Sequence, residues 1–166
     1  MLAILPEATM TTLNPTLPAT SMPRSVAWLG YGGLLPFLLP ALIAPFDPAH
    51  GSVWLDIQRA YGAIILSFVG ALHWAFAMQP GIADDDRHRH FIWSVVPALI
   101  GWLALILPAF SGLLLLLLGF WAHFLRDRKL ATPAGLPAWY LPLRLRLTGI
   151  ASLCLLSALS LPWVAP

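Results

Sequence analysis

"FIWSVVPALIGWLALILPAFSGLLLLLLGFWAHFL", residues 91–125, contains no Asp, Glu, Lys or Arg. It divides into two apolar runs, 91–110 and 113–125, separated by Ser111 and Gly112 with Pro108 just before them. Wound at about 1.5 Å per residue, the first run matches a hydrocarbon core roughly 30 Å thick. The second is short enough that neighbouring turn residues are expected to be buried with it. The pair therefore predicts two membrane spans closed into a helical hairpin. The whole chain agrees: 59% of its 166 residues are hydrophobic and 10% are charged, against roughly 25% charged in soluble domains.

On either side of the hairpin the pattern repeats. "VAWLGYGGLLPFLLPALIAPF", residues 26–46, is a first span, with Pro36 and Pro40 expected to bend it and Gly30, Gly32 and Gly33 admitting close neighbours. Residues 47–59 form a polar interval read as a short interfacial helix, with Trp54 and Tyr61 at headgroup level. A second span follows from about residue 60 to 78. "PGIADDDRHRH", 80–90, reads as a charged loop, and "LTGIASLCLLSALSLPWVA", 147–165, as a fifth span ending at an interfacial Trp163. The expected fold is all-α, a compact polytopic transmembrane bundle of five spans over residues 24–166. Residues 1–23, rich in Pro, Thr and Ala, are expected to form a flexible N-terminal tail, without the basic start of a cleaved signal peptide.

Every Lys and Arg except Arg59 falls before span one, between spans two and three, or between spans four and five. Lys and Arg collect on the cytoplasmic side of a membrane, so the N-terminus is expected to be cytoplasmic and the C-terminus outside, periplasmic in a bacterium. The basic residues are thus accounted for by topology and anionic lipid, and no nucleic-acid partner is expected. The single cysteine, Cys154, lies in an apolar run and supports neither a disulfide nor a thiolate metal cluster within the chain.

The candidate functional or packing residues cluster in two segments. Along span two, which contains "SFVGALHWAF" at 67–76, the residues Ala63, Ser67, Ala71 and Ala75 recur every fourth position beside Gly70, a small-residue stripe expected to receive another helix. His73, with Trp74 after it, is an ionisable group inside a span; it is expected to be buried, neutral and hydrogen-bonded to another helix, because facing lipid would be costly. His123 is its candidate partner, or a side chain reaching to the interface. The "DDDRHRH" loop is expected to be solvated, its carboxylates and imidazoles offering only a weak attraction to a divalent cation. In "PAWYLPLRLRLTG", 137–149, Trp139 and Tyr140 are placed at the interface. Arg144 and Arg146 fall on different helix faces, so that one of them turns inward to pair with Asp127 or with Asp84–Asp86.

The order of "LGYGGLLPF" at 29–37, "YGAIILSFVGALHW" at 61–74, "PALIGWLAL" at 97–105 and "PAWYLPLRLRLT" at 137–148 resembles DUF3429, a family of small multi-pass membrane proteins of unknown function. The resemblance covers residues 24 to about 160. It implies a helical bundle in a bacterial inner membrane or, for eukaryotic members, one associated with mitochondria, and it carries no catalytic residue over.

No HExxH, P-loop, nucleophile elbow or dinucleotide fingerprint is present. The favoured expectation is a structural or assembly component of a membrane complex, with membrane lipids and a membrane protein as partners. Its alternatives are a small transporter or channel using Tyr61, Ser67, His73 and Ser94, and a redox or metal-dependent enzyme using His73 and His123. Whether the protein is an enzyme is left open, no resident metal centre is assigned, and the residues name no cofactor.

Overall fold

The computed structural model describes residues 21–79, 82–131, 135–162 and 164. Its helices are α1 (Arg24–Gly32), α2 (Leu35–Ile43), α3 (Gly51–Ala77), α4 (Asp84–Ile106), α5 (Ala109–Ala131) and α6 (Tyr140–Leu159), with no strand among the described residues. Five segments are long and apolar enough to cross a membrane: Arg24–Phe46, Pro48–Ala77, Asp84–Ile106, Ala109–Leu130 and Tyr140–Leu159. The protein is therefore an all-α membrane bundle of five spans. The tail expected at 1–23 lies, except for its last three residues, outside the described residues, as does Trp163.

The first span is broken into α1 and α2 at Gly33 and Leu34. Pro36 has no N–H to return to the preceding turn, so the helix restarts with this proline at its second position, where none is needed. The other boundaries correct the sequence expectation in one direction: the polar segments are wound into the helices. Residues 51–59, expected to lie at the interface, are the first turns of α3, because Gln58 and Arg59 turn inward and find acceptors. Gln58 donates to the carbonyl of Cys154 on α6 at 2.9 Å. Arg59 donates to the carbonyls of Ala104, Leu105 and Leu107 at 2.8, 3.2 and 2.7 Å, capping the C-terminus of α4. Tyr61 is likewise inside the bundle, donating to the Gly33 carbonyl at 2.7 Å.

The "DDDRHRH" segment is not a loop but the first two turns of α4. Asp84, Asp85 and Asp86 occupy its positive end, and Asp84 and Asp86 pair three residues on with Arg87 and Arg89. The hairpin turn falls at Leu107 and Pro108 rather than at Ser111 and Gly112, since the residue before a proline is forced into extended backbone. The fifth span starts at Tyr140, seven residues before the expected position, because Arg144 has a partner inside the bundle that stabilises the charged turn.

α3 is central, packing on α2, α4 and α5, while α6 packs on α5 and α2. Phe37, Leu66, Leu113, Leu116 and Leu155 are fully buried among them. Lipid tails are as apolar as these side chains, so the helices are held by close van der Waals contact rather than by escape from water. α3 and α4 approach closely at Gly70, where an added Cβ would lie 2.7 Å from the ring of Pro97. The stripe of every fourth residue is corrected here: Ala71 and Ala75 are exposed, and the buried face runs through Ala63, Leu66, Gly70, His73 and Ala77. A step of four residues turns about 400°, so such a stripe drifts around the helix by about 40° each time.

Candidate functional site: a buried carboxylate hub and the cavity beside it

The face of α3 that passes through Leu66 and Gly70 delivers His73 to the bundle interior, where it is fully buried. On α5 the buried positions Leu116, Phe120, His123, Asp127 and Leu130 follow the same three-and-four spacing. His123 and Asp127, each 1% exposed, are therefore stacked on one face. α6 contributes Tyr140 and, one turn later, Arg144.

These side chains converge on Asp127. His73 Nε2 donates to Oδ1 at 3.1 Å, Arg144 Nε to Oδ2 at 2.9 Å and the Tyr140 hydroxyl to Oδ2 at 3.2 Å. His123 Nε2 lies 3.6 Å from Oδ1. One carboxylate thus ties α3, α5 and α6 together. A carboxylate accepts through about four lone-pair positions, and the guanidinium balances its charge, the conditions under which a charge survives in an apolar interior.

α4 joins through Trp93, whose indole N–H donates to His123 Nδ1 at 3.2 Å. His90, 8% exposed, places its ring 5.7 Å from that of His73, and the His73 and His123 rings are 5.0 Å apart.

Ligand atoms of His73, His123 and Asp127 lie within 4.8 Å of one another, close enough to hold a metal ion. The protons argue for a different use. An indole only donates, so Nδ1 of His123 is the acceptor and Nε2 carries the hydrogen, directed toward Asp127. A metal at that nitrogen would require the opposite tautomer and the loss of the Trp93 bond. In this arrangement the cluster is wired as a hydrogen-bonded hub.

Of the residues singled out in the sequence, His73, His123, Tyr140 and Arg144 meet at the hub. His123 is not an interfacial side chain as expected but a buried one, held by Trp93. Tyr140 is only partly exposed and is bonded inward rather than placed in the headgroups. Ser67 returns its hydroxyl to the Ala63 carbonyl of its own helix, Gly70 is a packing contact, and Trp74 lies half exposed against the edge of Phe91. Arg146 points outward, toward the Tyr31 hydroxyl at 3.5 Å.

The polar path imagined through Tyr61, Ser67 and Ser94 has its three hydroxyls already bonded to backbone carbonyls. His90 and Trp93 were missed, and Asp127 was named only as a possible partner of an arginine. The four-residue spacing of His123 and Asp127 was the signal available for the hub.

Beside the hub is a cavity of about 660 Å³ between α1, α2, α3 and α6. Its walls are apolar except where Tyr61, Trp139, Tyr140, Arg144 and Thr148 border it, so two residues of the hub, Tyr140 and Arg144, help to line an otherwise greasy chamber.

The family described as "Protein of unknown function (DUF3429)" matches residues 22–160. Transmembrane protein 69 of Xenopus tropicalis is 32% identical over 141 residues, covering 82% of this chain and 54% of that protein. Transmembrane protein 69 of Mus musculus is 27% identical over 104 residues, covering 63% of this chain and 41% of that protein. The chain thus spans about half the length of the curated relatives it matches. No solved structure matches it. The family match takes in all six helices, the Asp127 hub and the cavity, and on that extent the chain belongs to the DUF3429 family.

Proposed function

We propose that the protein binds an amphipathic small molecule within the membrane, and that the cavity beside Asp127 is its site. The observation that carries this reading is the cavity itself. At about 660 Å³ it falls within the roughly 300–1,000 Å³ of small-molecule sites, apolar over most of its wall and polar at one end. Leu29, Ile64 and Phe68 line it and are also exposed on the outer surface, which gives a ligand dissolved in the bilayer a lateral way in. Buried ionisable groups inside a span commonly mark a functional site, and the hub supplies such groups at the wall.

The test is co-purification. Protein extracted in mild detergent and sprayed intact into a mass spectrometer should retain a single-chain amphiphile. Gly30→Phe should lose it: a Cβ at Gly30 meets only ordinary contacts with Leu147 and Leu143, while the ring beyond it enters the cavity. Equal retention by both proteins, or none by either, would count against the site.

The assembly-component reading has one observation in its favour. The first span is the least buried of the five, with Trp28, Leu29 and Phe46 largely exposed, and a partner helix would find its widest free face there. Crosslinking from Trp28 to a second protein in native membranes would support it.

For orientation we take the N-terminus as cytoplasmic, with a bacterial inner membrane as the setting that the family resemblance suggests. Arg59, the one basic residue on the other side, supports this, because it caps α4 inside the protein and does not act as a loop charge. Reporters at residues 82 and 135 should both read cytoplasmic; either one outside would reverse the orientation.

A further inference from the structure

The polar residues that border the cavity are committed elsewhere. Tyr61 and Tyr140 donate their hydroxyl hydrogens to the Gly33 carbonyl and to Asp127, at 2.7 and 3.2 Å. Arg144 is held by Asp127 at 2.9 Å, so its charge is already balanced within the protein. Trp139 Nε1 and Thr148 Oγ1 are enclosed so tightly that a water molecule could not touch them, which closes them to a ligand head as well. Among the described residues, no Asp, Glu, Lys or second Arg borders the space.

We infer that the cavity takes an uncharged single-chain lipid, a long-chain alcohol by class, and turns away chains that carry a charged head. This rests on the ligand-binding reading above and specifies the ligand. Charge decides it. An anion entering beside Arg144 would share with Asp127 a cation that balances only one of them, and a cation would meet the guanidinium with no carboxylate on the wall to offset it. Either would leave a net charge in apolar surroundings, which costs far more than moving an uncharged chain out of the bilayer into a wall of similar polarity. A hydroxyl head brings no charge. The bilayer is the source of the ligand, since Leu29, Ile64 and Phe68 both line the cavity and face outward. Phe37 and Phe120 also lie on its wall but are buried, so a chain reaches them only from inside.

The experiment uses the full-length protein in nanodiscs of neutral phosphatidylcholine. The probes are hexadecanol, hexadecyl sulfate and hexadecyltrimethylammonium, each with a photoreactive diazirine in mid-chain, and the two ions keep their charge throughout the working pH range. After illumination, peptide mass spectrometry maps the attached chains. Labelling is normalised to Leu153, which is exposed on the outside of α6 and is not part of the cavity wall. At equal concentration in the disc, the alcohol should label Phe37 and Phe120 about tenfold more than either ion. Gly30→Phe, or an excess of unlabelled hexadecanol with the wild type, should remove that labelling and spare Leu153.

Either ion labelling Phe37 and Phe120 as strongly as the alcohol would overturn the uncharged assignment and leave the cavity reading standing. Labelling of these two residues by none of the probes, or labelling that neither Gly30→Phe nor unlabelled hexadecanol suppresses, would overturn both.

Discussion

His73 and Asp127, fifty-four residues apart in the chain, meet at 3.1 Å with both side chains almost wholly buried. A histidine that looked isolated in an apolar run is thereby one of the donors to a carboxylate that three helices share. The bond predicts a graded response. His73→Phe keeps the ring's bulk and removes its N–H, and should cost about 1 kcal/mol. His73→Ala adds a cavity and should cost about 2 kcal/mol or more. Unfolding curves in mixed micelles measure both; identical curves would mean that the hydrogen bond and the packing around it contribute nothing.

Asp127→Asn leaves Arg144 as a buried charge without a counter-ion, and its expected cost is about 3–5 kcal/mol. Adding Arg144→Met removes the stranded charge, so the double variant should be more stable than Asp127→Asn alone. A double-mutant cycle of unfolding free energies reads the coupling directly, and additive losses would show that the pair is not coupled.

The membrane spans were legible in the sequence because long uncharged runs have few other uses. The helix ends were not legible: a charge cluster looks the same whether it is solvated or wound into a helix. Residues 84–90 continue α4 because their charges pair along the helix, and 140–146 begin α6 because Arg144 meets Asp127. At the site, His73 stood out as an ionisable residue amid apolar neighbours. Asp127 did not, since it sits between Arg126 and Arg128 in a run whose members read alike. Only helical phase separates it, one turn beyond His123 on the buried face, and the same holds for His90, one turn before Ser94 and in phase with Pro97 and Gly101.

Phase also decides which small residue on α3 matters. Gly70→Leu should disrupt the bundle, because its first side-chain carbon already collides with Pro97, whereas Ala71→Leu places a leucine on an exposed face. The expected result is a loss of about 3 kcal/mol or more for the first and within about 0.5 kcal/mol for the second. Melting temperatures in a single detergent suffice, and a reversed order would refute the assignment of the α3–α4 contact.

Arg59→Met keeps the aliphatic stem but leaves the last carbonyls of α4 uncapped, and should cost about 2–3 kcal/mol. The effect should be local. Amide exchange should accelerate around the Leu107–Pro108 turn while residues 113–120 stay protected, and a uniform increase would mean that Arg59 supports the whole bundle rather than this turn.

That arginine also sets an order of events during synthesis. Its carbonyl acceptors follow it by forty-five to forty-eight residues, so α3 is made with a guanidinium paired only to Asp56, one turn back, until those carbonyls emerge from the ribosome. A cation held by one exposed carboxylate near the end of a span is incompletely satisfied there, and the deficit is relieved only when the end of α4 arrives beside it. The third span thus completes the insertion of the second, and a nascent chain halted before residue 104 would hold α3 less firmly in the membrane than the same helix in the finished protein.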